Sequence, residues 1–570
     1  MNMLSKCRNI VISCYLLIML GYFPLCYKYQ YADMGDLKYK VFLYTSVGCV
    51  VLFLACSLLQ IFFSLKNKKA NASFLADDAW VNLLFENTAM SALDIAVLFY
   101  FLCNSISFLL TPFKEKGFQG SDGWYMGFLS QILFVGIYFM LSKAWKYQKW
   151  VLWLFMASSG MVFLIAILHR FDVDIFNIYG ELSLHYKILF LSTMGQASWY
   201  SSFLCVTFPA GLYLFFISEE RNIRIWSGIY SVIAMWSLVT QNSDSAFLSL
   251  AAVLVLFFYL SFDKAYTTRQ TKGWNKKQKK SDKRDLVQNP AKRFMEVLLL
   301  VTGSFCSMGI LQKLFSHIMI PLEKLSLFMS QGKPVWTIFI LLAAMYLLVW
   351  YGMPFQKRVE KAAKEQKGFM QDKDNNRVLF WIMLSLVVIA VLGLILFIVL
   401  NSNGYLYEKY GYQNSDNYLY FDGAWGNNRG YSWKFTITSF AGFSWLQKLF
   451  GVGPDCFSAY IASVPEYYEE MSTHWQGLIL TNAHNEYLTK LYNLGFAGLS
   501  AYLGMLITAV VIFVKNRKEN RLLPAFALCT AAYMAHNIFC YEQVCCTPFF
   551  YILIGIGSCL LNNKETKCTY

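Results

Sequence analysis

Stretches of about 20 predominantly apolar residues recur along the whole 570-residue chain, and no other feature limits its fold so severely. Hydrocarbon offers no hydrogen bonds, so every backbone N–H and C=O in such a stretch has to be satisfied within it, which selects the α-helix. The stretches fall near residues 9–26, 41–65, 88–110, 124–142, 150–168, 199–217, 225–240, 243–262, 294–312, 335–351, 379–400, 487–514, 522–540 and 547–562. They predict an all-α, polytopic integral membrane protein of about fourteen transmembrane helices. Composition agrees, with 57% hydrophobic and 15% charged residues against roughly 45–50% and 25% in soluble domains. A soluble globular enzyme, a collagen, a disordered tail and a small disulfide scaffold are excluded.

The 49 Lys and Arg against 34 Asp and Glu give a formal charge of +15, which invites a nucleic-acid partner. The basic residues, however, lie between the apolar stretches. The densest runs are Lys272–Arg284, followed by Lys292 and Arg293, and Lys357–Lys373. Beside spans they read as cytoplasmic loops that set topology, so the partner expected is the membrane and not nucleic acid. Placing the N-terminus in the cytoplasm puts most Lys and Arg inside. Both termini are then cytoplasmic in a multi-pass protein of the cell membrane, and 401–485 is the largest exterior region. The first apolar stretch follows Lys6 and Arg8 without a small-residue cleavage site, and reads as a retained span. Pro209 and Pro524 are placed to break spans.

Most of the fifteen cysteines fall within spans, where Cys behaves as a small apolar residue. Cys456 reads as exterior, and Cys545 and Cys546 as lying near an exterior mouth. No CxxC pair or Cys/His spacing suits zinc, so neither a disulfide framework nor a metal is expected.

Polar groups are costly in a bilayer, so their concentration marks function. Asp94 and Lys490 are among the few charges in or near spans, whereas segment 401–485 is rich in Tyr, Trp, Asn, Asp and Gly. Such aromatics suit a membrane-interface belt and also stack on sugar rings. Three pieces carry chemistry. Gly426-Asn427-Asn428 is a turn signal, followed by a helix in which Arg429 and Trp433 share a face. Gly451 to Asp455, with Gly453 and Pro454, is a tight turn whose amides could approach an anion or a sugar. His484 and Asn485 stand just before a long apolar helix, near its positive N-terminus. Of the six histidines only His484 combines an exterior position, a helix start and a polar cluster, and a neutral imidazole there can accept a proton. Arginine is the side chain best suited to paired contacts with phosphate oxygens.

At these residues the chain resembles the O-antigen ligase and O-antigen polymerase family, over roughly residues 190 to 515. The elements are, in order, Ser192–Tyr200 with Gln196, Thr240–Ala246 with Asp244, the Arg429–Trp433 piece, the Gly451–Phe457 turn, and Ala483–Leu488 leading to Leu494–Leu499. The resemblance implies a GT-C-like, metal-independent glycosyltransferase needing no cofactor. Its donor would be a glycan on polyprenyl (undecaprenyl) diphosphate, its acceptor a glycan, lipid or protein, and its role cell-envelope polysaccharide biosynthesis. It implies that Arg429 grips the donor pyrophosphate, that His484 is the general base, and that Trp433, Gly451, Gly453, Asp455, Asn485, Gln196 and Asp244 bind substrate. It also implies three regions: N-terminal transmembrane helices (1–190), the ligase/polymerase-like region with its exterior loop (191–515), and C-terminal transmembrane helices (516–570). Many members carry Ser-Arg where this chain has Ser243-Asp244, which removes a second phosphate-gripping arginine. Arg170, Lys187, Lys434 and Lys448 are candidates to replace it. Two other readings stay open: a lipid-linked oligosaccharide flippase or polysaccharide exporter, and a non-catalytic assembly protein.

Overall fold

The computed structural model describes residues 3–28, 33–67, 89–180, 182–261, 290–351, 375–415 and 418–562; the basic runs 272–284 and 357–373 lie outside the described residues. Among the described residues, nine helices are long and apolar enough to cross a membrane, beginning with Met3–Tyr22 and Met34–Phe63 and ending with Glu486–Lys515. Five shorter apolar helices accompany them: Phe128–Ala144, Ser245–Ser261, Val388–Ser402, Leu523–His536 and Thr547–Leu561. Each apolar stretch read from the sequence falls on one of these helices. The β structure described is one short antiparallel pair, Phe190–Leu191 with Gly195–Gln196. The protein is an all-α polytopic membrane protein. Neither proline interrupts its helix: Pro209 lies inside Ala197–Ile217, and Pro524 sits in the first turn of Leu523–His536, where its missing N–H has no helical partner to lose.

The chain forms two compact units. The first comprises Met1–Ala210, Gln241–Ser249 and Ser432–Thr569. Lipid is as apolar as a leucine side chain, so helices associate through shape and polar contacts rather than hydrophobic burial. Phe549 accordingly meets Phe23, Phe155 and Phe203 at ring-centroid separations of 5.4, 5.7 and 5.0 Å. Asp94 is fully buried and accepts from Lys143 Nζ at 2.5 Å and the Tyr138 hydroxyl at 2.7 Å, while forming a capping box with Ser91. The sequence therefore understated the buried charge. Cys456, Cys545 and Cys546 are wholly buried in the packed protein. For Cys456 the cause is that its turn folds inward, and the thiol donates to the Pro454 carbonyl at 3.3 Å.

The second unit comprises Gly211–Thr240 and Leu250–Tyr431. Glu296 organises one end of it, accepting from Arg224, from the Tyr346 hydroxyl at 2.8 Å, and pairing with Arg293 at 3.7 Å. Farther along the chain, the Asn401 amide donates to the carbonyls of Asn414 (2.7 Å) and Leu419 (2.8 Å), which ties the start of the polar segment to the end of Asn375–Ser402. Gly426, Asn427 and Asn428 all adopt left-handed backbone (φ 59°, 58° and 64°), the conformation Gly and Asn tolerate best, and the helix containing Arg429 follows.

Candidate active site

His484 is placed by its own short segment. Its N–H donates to Asn482 Oδ1 (2.9 Å), the preceding Ala483 N–H donates to the Thr489 hydroxyl (3.1 Å), and Asn485 caps Glu486–Lys515 by accepting from Leu488 N–H (3.1 Å). Glu486 N–H then donates to the Asn537 carbonyl at 2.9 Å. These bonds hold His484 at φ 53°, which costs about 1–3 kcal/mol for a residue other than glycine and persists only where its surroundings enforce it. The imidazole stands edge-on to Tyr541, with centroids 5.2 Å apart and planes at 87°. The Tyr541 hydroxyl donates to Gln196 Oε1 (2.9 Å), and its ring lies 6.1 Å from Trp124. Segments near residues 124, 196, 484 and 541 therefore converge at one point.

Beside this point lies an ion cluster. Lys490 Nζ is 3.1 Å from Glu486 Oε1 and 2.8 Å from Glu542 Oε2, and the three side chains are at most 8% exposed. The Tyr502 and Tyr533 hydroxyls donate to Glu542 Oε1 at 2.9 and 3.1 Å, and Glu542 N–H donates to Glu486 Oε2 at 2.7 Å. The cluster fixes the 537–546 connection, and with it Tyr541, against the start of the His484 helix. Together these groups border a small polar cleft, with Trp124, Asn482, Asn493 and Tyr541 among its lining.

Asp455 also lines this cleft, yet its carboxylate is committed to the protein. Its Oδ2 accepts from Ser121 N–H (2.7 Å) and Met126 N–H (3.1 Å), securing the loop that carries Trp124. Burial pushes its pKa up to about 6, against the opposing pull of those two amides. The turn expected to offer amides to an anion uses them internally: Gly451, Val452 and Gly453 donate to the carbonyls of Gln447, Tyr492 and Asn493. Gly451 (φ 72°) lets two backbones touch, because a Cβ there would collide with the Asn493 carbonyl; at Gly453 a Cβ would come within 2.6 Å of the Thr111 hydroxyl. Both glycines thus serve close packing.

The other expected residues are distributed differently. Trp433 stacks on Phe539 (5.8 Å, 17°) in the first unit. Asp244 precedes Ser245–Ser261, and its carbonyl accepts from Phe247 N–H. Arg429 belongs to the second unit, where its Nη1 donates to the Gly426 carbonyl at 2.7 Å. Of the substitute cations, Arg170 is fully buried and donates to the carbonyls of Lys187, Ile188 and Gln241, and Lys187 pairs with Asp172 at 2.6 Å. Lys434 is exposed and Lys448 half-buried. Among the described residues no group of three or more His, Cys, Asp or Glu could hold a metal ion.

Sequence reasoning missed Trp124, Glu486, Tyr541 and Glu542. Glu486 had a readable signal, since it precedes Lys490 at the i,i+4 spacing that pairs opposite charges on a helix.

A multi-helix membrane protein with a histidine held beside a polar cleft is the class that fold and site define. A family model described as O-Antigen ligase matches residues 318–503, which supports placing that region with the O-antigen ligase and polymerase family. That family supports ligase- or polymerase-type function in polysaccharide biosynthesis and implies lipid-linked glycan substrates in a membrane setting. The match includes Arg429, Trp433, Gly451, Gly453, Asp455, His484 and Asn485, whereas Gln196 and Asp244 lie outside it. No curated protein matches the chain.

Proposed function

We propose that the protein is a metal-independent, inverting glycosyltransferase that transfers or polymerises a polyprenyl-diphosphate-linked oligosaccharide at the outer face of the cytoplasmic membrane. His484 takes the proton from an acceptor hydroxyl as that oxygen attacks the anomeric carbon. The bond from that carbon to the diphosphate oxygen breaks, and polyprenyl diphosphate departs with the electron pair and inverted stereochemistry at the sugar. Arg429 offers the diphosphate a permanent cation with a bidentate fork, and charge stabilisation of this kind is the larger part of catalysis when the leaving group is already good. Within this reading 191–515 is the transfer region, flanked by helical regions 1–190 and 516–570.

The observation that carries the reading is the placement of His484: its backbone is locked to Asn482 and its ring set against Tyr541, two residues that line the same cleft. A flippase or exporter needs no such base. In cells, His484→Ala and Arg429→Lys should each abolish the finished surface glycan while the protein still reaches the membrane. Loss of long chains with single units retained identifies a polymerase; intact chains stranded on the carrier lipid identify a ligase. Normal surface glycan in both variants would contradict the proposal.

A further inference from the structure

Backbone bonds settle where the His484 imidazole starts but not how it is turned, since its side-chain torsions remain. The Tyr541 ring, nearly perpendicular to the imidazole at 5.2 Å, bears on those torsions: edge-to-face contact is an arrangement that aromatic pairs favour, and a turned imidazole gives it up. Tyr541 is itself held from several sides. Its hydroxyl donates to Gln196 Oε1 at 2.9 Å, while close by in the same connection Glu542 N–H donates to Glu486 Oε2 at 2.7 Å and Val544 N–H to the Trp124 carbonyl at 3.1 Å. Gln196 stands on firm ground as well. It pairs with Phe190 in the short antiparallel ladder and directly precedes Ala197–Ile217, a span that is almost wholly buried.

We propose that Tyr541 is the positioning residue for the His484 base and Gln196 its anchor, so that the three side chains form a strut that keeps the imidazole in one orientation. This rests on the reading of His484 as the general base. A base works only within hydrogen-bond reach of the proton it takes, and a displacement of about 1 Å can cost about 10²-fold in rate. Tyr541 touches no reacting atom in this scheme; it acts on kcat through the ring of His484 and leaves substrate affinity unchanged. Gln196 acts one step further back, its oxygen serving Tyr541 rather than the substrate to which the family resemblance assigns it.

The test measures kcat and KM for the full-length protein in lipid vesicles, with an oligosaccharide on polyprenyl diphosphate as donor and a hydroxyl-bearing acceptor, each variant first shown to melt as the wild type does. Tyr541→Leu, which removes the ring, should lower kcat by about 10–100-fold with KM within about twofold. Tyr541→Phe and Gln196→Leu, which break only the tether, should each lower kcat by about fivefold, the net worth of one hydrogen bond. Combining those two should be no worse than either alone. Gln196→Glu still offers an acceptor oxygen and should keep most of the rate. A raised acceptor KM in the Gln196 variants, or additive losses in the double variant, would return Gln196 to the substrate and overturn the strut, as would wild-type kcat in Tyr541→Leu. A second readout needs no transfer. In protein carrying isotope-labelled histidine, the His484 ring resonance, assigned by its loss in His484→Ala, should move in Tyr541→Leu as the tyrosine ring current disappears; an unmoved resonance also overturns the strut. If the wild type joins no sugars while that resonance responds, the transferase reading fails and the positioning of the imidazole stands.

Discussion

Replacing Lys490 with methionine separates the structural role of the ion cluster from any catalytic one. The ammonium lies within 3.1 Å of Glu486 and 2.8 Å of Glu542, inside a site where the partners are only 3% and 2% exposed. Removing one member of a buried ion pair typically costs about 3–5 kcal/mol, because the remaining charge keeps its desolvation penalty without compensation. Here two carboxylates are left facing each other. The Tyr502 and Tyr533 hydroxyls and the Glu542 N–H persist as donors, so the lower end, about 3 kcal/mol, is expected. The assay is chemical unfolding in detergent micelles, followed by the loss of helical signal. A Lys490→Met/Glu542→Gln double variant removes one of the two carboxylates and should regain roughly half of the loss, a non-additivity expected only for residues in one network. A single variant within about 1 kcal/mol of wild type, or a strictly additive double variant, would refute the argument that these three charges form one unit.

Other expectations follow from the same geometry. Asp455 has its pKa raised to about 6 by burial, so the folded state binds its proton more tightly than the unfolded state does; stability should fall as pH rises from about 4 to about 6. Asp455→Asn should flatten that part of the melting-temperature profile while keeping the bonds to Ser121 and Met126, and an identical profile would argue against it. Gly451→Ala combines left-handed backbone with a collision against the Asn493 carbonyl, and should cost about 2–4 kcal/mol in the same unfolding assay, whereas a neutral result would remove the packing argument. Asn485→Ser and Asn485→Asp should retain most activity because both still cap the helix, while Asn485→Ala loses about 1 kcal/mol. Loss of transfer in all three alike would mean that the amide itself contacts substrate.

The fold was legible because span length and hydropathy are local properties: each apolar stretch maps onto a helix. His484 was legible for a similar reason, standing with its cap residue directly ahead of an apolar run. What sequence could not reveal was the company His484 keeps. Tyr541 and Glu542 sit in a few residues between two apolar runs and read as a connector, and Trp124 opens another stretch as an ordinary interface aromatic. Only tertiary packing brings them to one cleft. The glycines mark the opposite failure, where a local motif suggested a ligand contact and the long-range fold used the same amides and the same missing Cβ to seat one backbone on another.

The central claim is that His484 moves a proton during sugar transfer. The direct measurement supplies purified protein in lipid vesicles with a fluorescent oligosaccharide on polyprenyl diphosphate and a hydroxyl-bearing acceptor, and follows the joined product for wild type and His484→Ala. A general base typically contributes about 10²–10⁴ in rate, so the variant should lose at least two orders of magnitude while still reaching the vesicle membrane folded. Transfer by His484→Ala at the wild-type rate would contradict the account.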